Sequence, residues 1–176
     1  NSVSKELNRH ALRLQEDDFA VGINDERGVI ELPLVGGDRI ARLLDAVNGR
    51  EIQTLKGHTS WIICADVTPD GRWCLTGSAD KTARLWDLRA GKVLHVLAGH
   101  TAPVSGVRLV QGGRYAVTVG GSLRLWSVVR GKLLHEYPIN VSQVCALPDE
   151  RFVLCAHQGA IYLWRLPLTA CTDFGG

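Results

Sequence analysis

The phrase ARLWDLRAGKVLHVLAGHT, residues 83–101, has a counterpart earlier in this chain. Residues 41–59 read ARLLDAVNGREIQTLKGHT, and nine of the nineteen positions are identical without a gap. A third copy, LRLWSVVRGKLLHEYP, occupies 123–138, and a fourth, IYLWRLP, occupies 161–167. The third and fourth copies decay toward their ends. A period of this size marks a structural repeat, each copy of which buries its apolar face only by stacking on a neighbour.

Inside the clearest copy every segment reads as strand or turn. WIICADV (61–67) and RWCLTGS (72–78) are short apolar runs separated by the turn signal PDG (69–71). TARLWD (82–87) and KVLHVL (92–97) follow, separated by LRAG, in which Gly91 supplies a permissive backbone. Four short strands joined by tight turns predict a four-stranded antiparallel meander. The near-continuous apolar run at 61–65 predicts a strand buried on both faces.

GH at 57–58 followed by WD at 86–87, repeating about every 42 residues, resembles the WD40 repeat of β-propellers. The resemblance is strong over 57–91, good over 92–138 and weak at 1–40 and 139–176. It implies an all-β chain forming part of a propeller, with about four four-stranded antiparallel blades. Residues 1–18 are expected to be a linker or an outer strand, and 169–176 a tail. The units between them are expected at about 19–55, 61–97, 103–137 and 141–168. The gapless alignment puts the strands of the first unit near 19–25, 29–35, 40–45 and 50–55, although FAVGINDERGVIEL (19–32) also reads as one hairpin. The last strand of the fourth unit is either absent or lies in the LPLTA tail.

WD40 propellers usually close with about seven blades, so four units predict an open ring with a long sheet edge. Three completions are open: sequence outside the 176 residues, another chain, or an outer strand lent by NRHALRL (8–14). The absence of any methionine favours the first, a piece of a longer protein.

Composition excludes several classes. The net charge is +2, too small to argue for nucleic acid or an anionic membrane, and no apolar run approaches the roughly 18 residues of a spanning helix. No signal peptide is visible at the N-terminus, and cytoplasmic residence is expected. The five cysteines, Cys64, Cys74, Cys145, Cys155 and Cys171, are odd in number and form no C-x-x-C pair. Cys64/Cys74 and Cys145/Cys155 share a spacing of ten, which fits either bridges or a metal, or small apolar residues at equivalent repeat positions. His95 and His135 recur at equivalent places on outer strands, as a metal or pH-sensing pair or as solvated side chains. DFG at 173–175 is a chance match to the kinase phrase, since the other kinase signatures are missing. The scattered Arg and Lys form no cluster and read as solvated surface.

His58, Thr76 and Asp80 together invite a nucleophilic reading. The WD40 resemblance instead assigns them, with Trp86, to a buried hydrogen-bond network, and a buried indole N–H does need an acceptor. The third unit keeps His100, Thr118 and Trp126 but has no aspartate in its shorter second turn, VGGS. The first unit keeps Asp38 with Leu44 in the tryptophan place, and the fourth keeps only Trp164. These departures predict fewer satisfied polar cores away from the second unit.

The resemblance makes the face carrying the loop after GH and the second turn the usual docking surface, here Trp61, Ala79, Lys81 and Pro103. Trp61 is either an interface anchor or a ring packed between blades. The chain is therefore expected to be a non-catalytic scaffold that docks protein or peptide partners, with no cofactor and no metal. The alternative is the sensor segment of a larger signalling ATPase or kinase, which an upstream G-x-x-x-x-G-K-[ST] loop would favour. An enzymatic propeller would need converging carboxylates or histidines that the sequence does not offer.

Overall fold

The computed structural model describes residues 19–24, 28–32, 39–45, 50–141, 143–146, 152–157 and 160–166. These form fifteen strands and four sheets. The second sheet follows directly from the turn chemistry read above. β5 (Ile62–Val67), β6 (Trp73–Ser78), β7 (Ala83–Asp87) and β8 (Lys92–Leu97) pair antiparallel in the order β5-β6-β7-β8. Gly71 and Gly91 take left-handed φ of 64° and 63° in two of its turns, a conformation glycine adopts without steric cost. The third sheet repeats the meander with β9 (Gly106–Val110), β10 (Tyr115–Val119), β11 (Leu123–Ser127) and β12 (Lys132–Tyr137). β9 starts three residues later than 103, because Val104 N–H is bound to the Ser78 carbonyl (3.0 Å) of the second sheet.

The first sheet departs from the expected meander. Its strands β1 (Phe19–Asn24), β2 (Gly28–Leu32), β3 (Ile40–Asp45) and β4 (Glu51–Lys56) follow the order β2-β1-β3-β4. β1 and β2 form the hairpin that competed with the gapless alignment, and β1 then pairs parallel with β3. The connection makes this feasible. Leu32 pairs with Ala20 and Phe19 with Ala41, so both ends of the 33–39 connection lie at one end of the sheet. It must cross only one intervening strand, roughly 10 Å, which seven residues span easily. The fourth sheet holds β13 (Gln143–Ala146), β14 (Phe152–His157) and β15 (Ala160–Arg165), three strands among the described residues. The 1–18 segment, NRHALRL, Asp38, LPDE (147–150), the LPLTA tail, DFG and Cys171 lie outside the described residues.

The sheets stack face to face through three apolar layers. Ala41, Leu43 and Leu55 of the first sheet meet Ile62, Ala65, Val67, Cys74 and Trp86 of the second. Leu75, Leu85 and Leu97, from the opposite side of the second sheet, meet Val107, Leu109, Ala116 and Trp126 of the third. Val117, Val119, Leu123 and Leu125 then meet Val144, Val153 and Cys155 of the fourth. β5 touches β9 and β9 touches β13, so the leading strands line one side of the stack, and β2 holds that place in the first sheet. The chain is thus all-β, an open run of propeller-like blades.

Two-sided burial falls on other strands than expected. β11 is buried at every position and β6 at all but its first. In the 61–65 run, by contrast, Trp61 and Ile63 are exposed. β5 is the edge of its sheet, whereas β6 and β11 are flanked by strands as well as covered by sheets.

Candidate functional site

The paired geometry of β6 and β7 sets Cys74 opposite Trp86 and Thr76 opposite Arg84, so these side chains share the face turned toward the first sheet. Trp86 is 1% exposed and Thr76 0%. The indole Nε1–H donates to Thr76 Oγ1 (2.8 Å), and Thr76 Oγ1 lies 2.8 Å from His58 Nε2. His58 Nδ1 lies 2.7 Å from Asp80 Oδ2. Burial pushes the Asp80 carboxyl up, but Thr82 Oγ1–H, Thr59 N–H and His58 donate to it and hold it at about 2. An ionised Asp80 only accepts, so Nδ1 carries the proton and Nε2 accepts from Thr76. The direction of the chain is then fixed: Trp86 to Thr76 to His58, and His58 to Asp80. Burial holds the His58 imidazole below its ordinary value, against the opposing pull of Asp80.

The third sheet builds the same chain from different material. Trp126 Nε1–H donates to Thr118 Oγ1 (2.7 Å), which lies 2.6 Å from His100 Nε2. His100 Nδ1 finds the backbone carbonyl of Gly120 at 3.0 Å, in the role of the missing carboxylate. The expectation of an unsatisfied polar core here is therefore corrected. The two-residue deletion in VGGS draws a main-chain oxygen to the imidazole, and a main-chain acceptor has no letter in the sequence. Gly120 itself is enforced by proximity: a Cβ there would lie 3.0 Å from both Cγ and Nδ1 of His100 and from the Ala102 carbonyl oxygen. Burial, then the Arg124 guanidinium, lowers His100 to about 4, with Gly120 and Glu136 opposing.

The four residues expected at a docking face lie on the loops and turn at one end of the second sheet. Trp61 is 59% exposed, on the loop entering β5, and Lys81 and Pro103 are exposed. Ala79 N–H donates to the Trp61 carbonyl (2.8 Å), joining this loop to the turn between β6 and β7. Lys81 occupies that turn with φ 66°, a left-handed conformation unusual for a side-chain-bearing residue. Of the two readings of Trp61, the packed ring does not apply.

The cysteines split by position. Cys74 stands opposite Trp86 but Cys155 opposite Tyr162, the place opposite Trp164 belonging to Val153, so the two are not at equivalent repeat positions. Both are buried, and burial pushes both thiols up, Cys155 to about 11. Their partners by spacing differ, since Cys64 is half-buried and Cys145 exposed. The recurrent histidines also differ: His95 is half-buried, and a Cβ on Gly131 would meet its ring at 2.4 Å, while His135 is exposed. Among the described residues no group of three or more His, Cys, Asp or Glu side chains could hold a metal. No described helix is long and apolar enough to cross a membrane.

Sequence reasoning missed the arginines. Arg42, Arg84 and Arg124 occupy equivalent positions on the third strands of their sheets. Arg124 is 7% exposed, and its Nε–H and Nη2–H donate to Glu136 Oε1 (3.1 and 2.8 Å). Arg42 Nε stands 3.6 Å from Glu51 Oε2. The offsets of 42 and 40 between successive copies were the signal that could have grouped them.

Sequence comparison settles the kind of repeat. The family model described as "WD domain, G-beta repeat" matches residues 49–87 and 91–127. Over these two segments, together less than half of the chain, the sequence is similar to WD40 repeats. A search of curated proteins found no match to the chain. Each WD40 repeat begins on the last strand of one sheet and ends on the third strand of the next: 49–87 holds β4 to β7 and 91–127 holds β8 to β11. WD40 repeats are a type of protein-interaction module and are in general non-catalytic.

Proposed function

We propose that this chain is a non-catalytic docking scaffold that presents Trp61, Ala79, Lys81 and Pro103 to a protein or peptide partner. The observation that carries the reading is Trp61, a large ring 59% exposed on a loop tied by the Ala79–Trp61 hydrogen bond to the neighbouring turn. A rigid, exposed aromatic is a common anchor of binding energy. Loops held on a stacked sheet scaffold present such anchors at little ordering cost. The buried His58–Thr76–Trp86 chain serves the scaffold in this reading, since its hydroxyl is consumed by the indole and imidazole and is 0% exposed.

The test is selection of a displayed random-peptide library on the full chain, followed by binding of the selected peptides to Trp61→Ala. The substitution is expected to weaken binding by about 2 kcal/mol while thermal stability changes by less than about 0.5 kcal/mol. Undiminished binding to Trp61→Ala would remove this loop from the docking face. Cytoplasmic residence and completion of the ring by further blades belong to the same proposal.

A further inference from the structure

In the third sheet the guanidinium of Arg124 is closed by a carboxylate of its own chain, because Arg124 pairs across the sheet with Glu136. Ser122 Oγ donates to the same Glu136 oxygen (2.8 Å). The second sheet repeats the arginine, but Thr82, in the place of Ser122, donates to Asp80 instead. Arg84 pairs across the sheet with Val96, so the carboxylate is missing from its register position. Arg84 Nε is buried and has no hydrogen-bond partner, and no ion pair to Arg84 exists among the described residues. The guanidinium is held in place all the same. It lies against Gly57, where a Cβ would come within 2.5 Å of Nη1, just as Arg124 lies against Gly99 at 2.6 Å. Arg84 as a whole is only half-buried, and Val96 beside it is 47% exposed, as is Leu94 at 43% on the same outer strand.

The geometry points to Arg84 as a receptor for a carboxylate supplied in trans: a Glu or Asp side chain of an acidic peptide segment, seated where the third sheet carries Glu136. The buried Nε–H is already out of water without an acceptor, so a carboxylate reaching this end of the guanidinium restores a charge-assisted hydrogen bond with part of the desolvation already met. Val96 and Leu94 supply apolar contact beside the charge, so the fitting segment alternates acidic and aliphatic residues in an extended conformation. The site uses none of Trp61, Ala79, Lys81 or Pro103, and it goes beyond the docking face proposed above.

The test uses the full chain and a fluorescein-labelled Leu-Glu-Leu-Glu-Leu-Glu peptide, with the Leu-Gln-Leu-Gln-Leu-Gln peptide as reference. The acidic peptide is expected to bind at least about tenfold tighter than the Gln peptide, with the difference shrinking as salt is added. Arg84→Gln should remove the difference. Val96→Glu should remove it too while raising the thermal midpoint, since it rebuilds the Arg124–Glu136 pair inside the second sheet. Trp61→Ala should leave it intact, which separates this site from the loop face. Equal binding of the two peptides, or full acidic-peptide binding by Val96→Glu, overturns the proposal. A Val96→Glu chain that is less stable than the parent overturns the register argument behind it.

Discussion

The second and third sheets solve one problem with two different acceptors. Each buries a tryptophan whose indole N–H must be satisfied, and each passes the bond through a threonine to a histidine. The second sheet then ends the chain on the Asp80 carboxylate, the third on the Gly120 carbonyl. The difference teaches that the Trp–Thr–His segment is what the fold requires. The terminal acceptor is interchangeable, provided that the turn length brings some oxygen to the imidazole. It also predicts unequal electrostatics, since a carboxylate opposes the burial effect on its histidine more strongly than a neutral carbonyl does.

The most damaging way to break the comparison is to remove the shared hydroxyl. Thr76→Ala orphans the Trp86 N–H and the His58 Nε2 together and should cost about 4 kcal/mol, at about 1–3 kcal/mol for each buried unsatisfied group. Thr118→Ala should cost about the same, measured by urea denaturation. A much cheaper Thr118→Ala would mean that the carbonyl-closed chain is not equivalent to the carboxylate-closed one.

Acid should separate the two sheets next. His100 stays neutral in the fold down to about 4 but takes a proton near 6.5 in the unfolded chain. A depressed histidine lends stability above the unfolded value, lost as pH falls from there toward 4, by roughly 3 kcal/mol at most. His58 is also depressed and loses stability below about 6.5 in the same sense. Asp80, held at about 2, contributes above its unfolded value of 3.8 and fades only as pH falls below that toward 2. Stability of His100→Gln across the range from pH 6.5 to 4 should therefore be flatter than that of the parent; an unchanged slope would refute the assignment of that loss to His100.

The smallest of the three effects is Gly120→Ala. The added methyl would sit 3.0 Å from the His100 ring and displace the carbonyl that closes the chain, at a cost of about 2 kcal/mol. An unchanged urea midpoint for Gly120→Ala would show that the carbonyl is not the closing group.

Much of this was legible in the sequence. Trp86, Trp126, Thr76, Thr118, His58 and His100 recur at the repeat offset, and side-chain identity carries their bonding. Gly120 was not legible, because its contribution is a backbone oxygen placed by a deletion. The strand positions of the first sheet were readable, but not their order. Hydrophobic periodicity is the same whether β1 or β2 stands beside β3, and the choice is made by a pairing between distant residues. The Arg124–Glu136 pair was hidden for another reason. Sequence separation alone does not reveal who stands opposite whom when a bulge intervenes, here between Leu125 and Trp126.

The offset between WD40 repeat and sheet has a consequence for anyone who cuts this chain. A fragment ending with the repeat at 127 would leave the third sheet without Lys132–Tyr137 and strand Arg124 without Glu136. A fragment ending after Tyr137 would keep both. The covalent unit and the folded unit are thus interleaved like overlapping roof tiles, and each join between neighbouring sheets is spanned by an uninterrupted peptide.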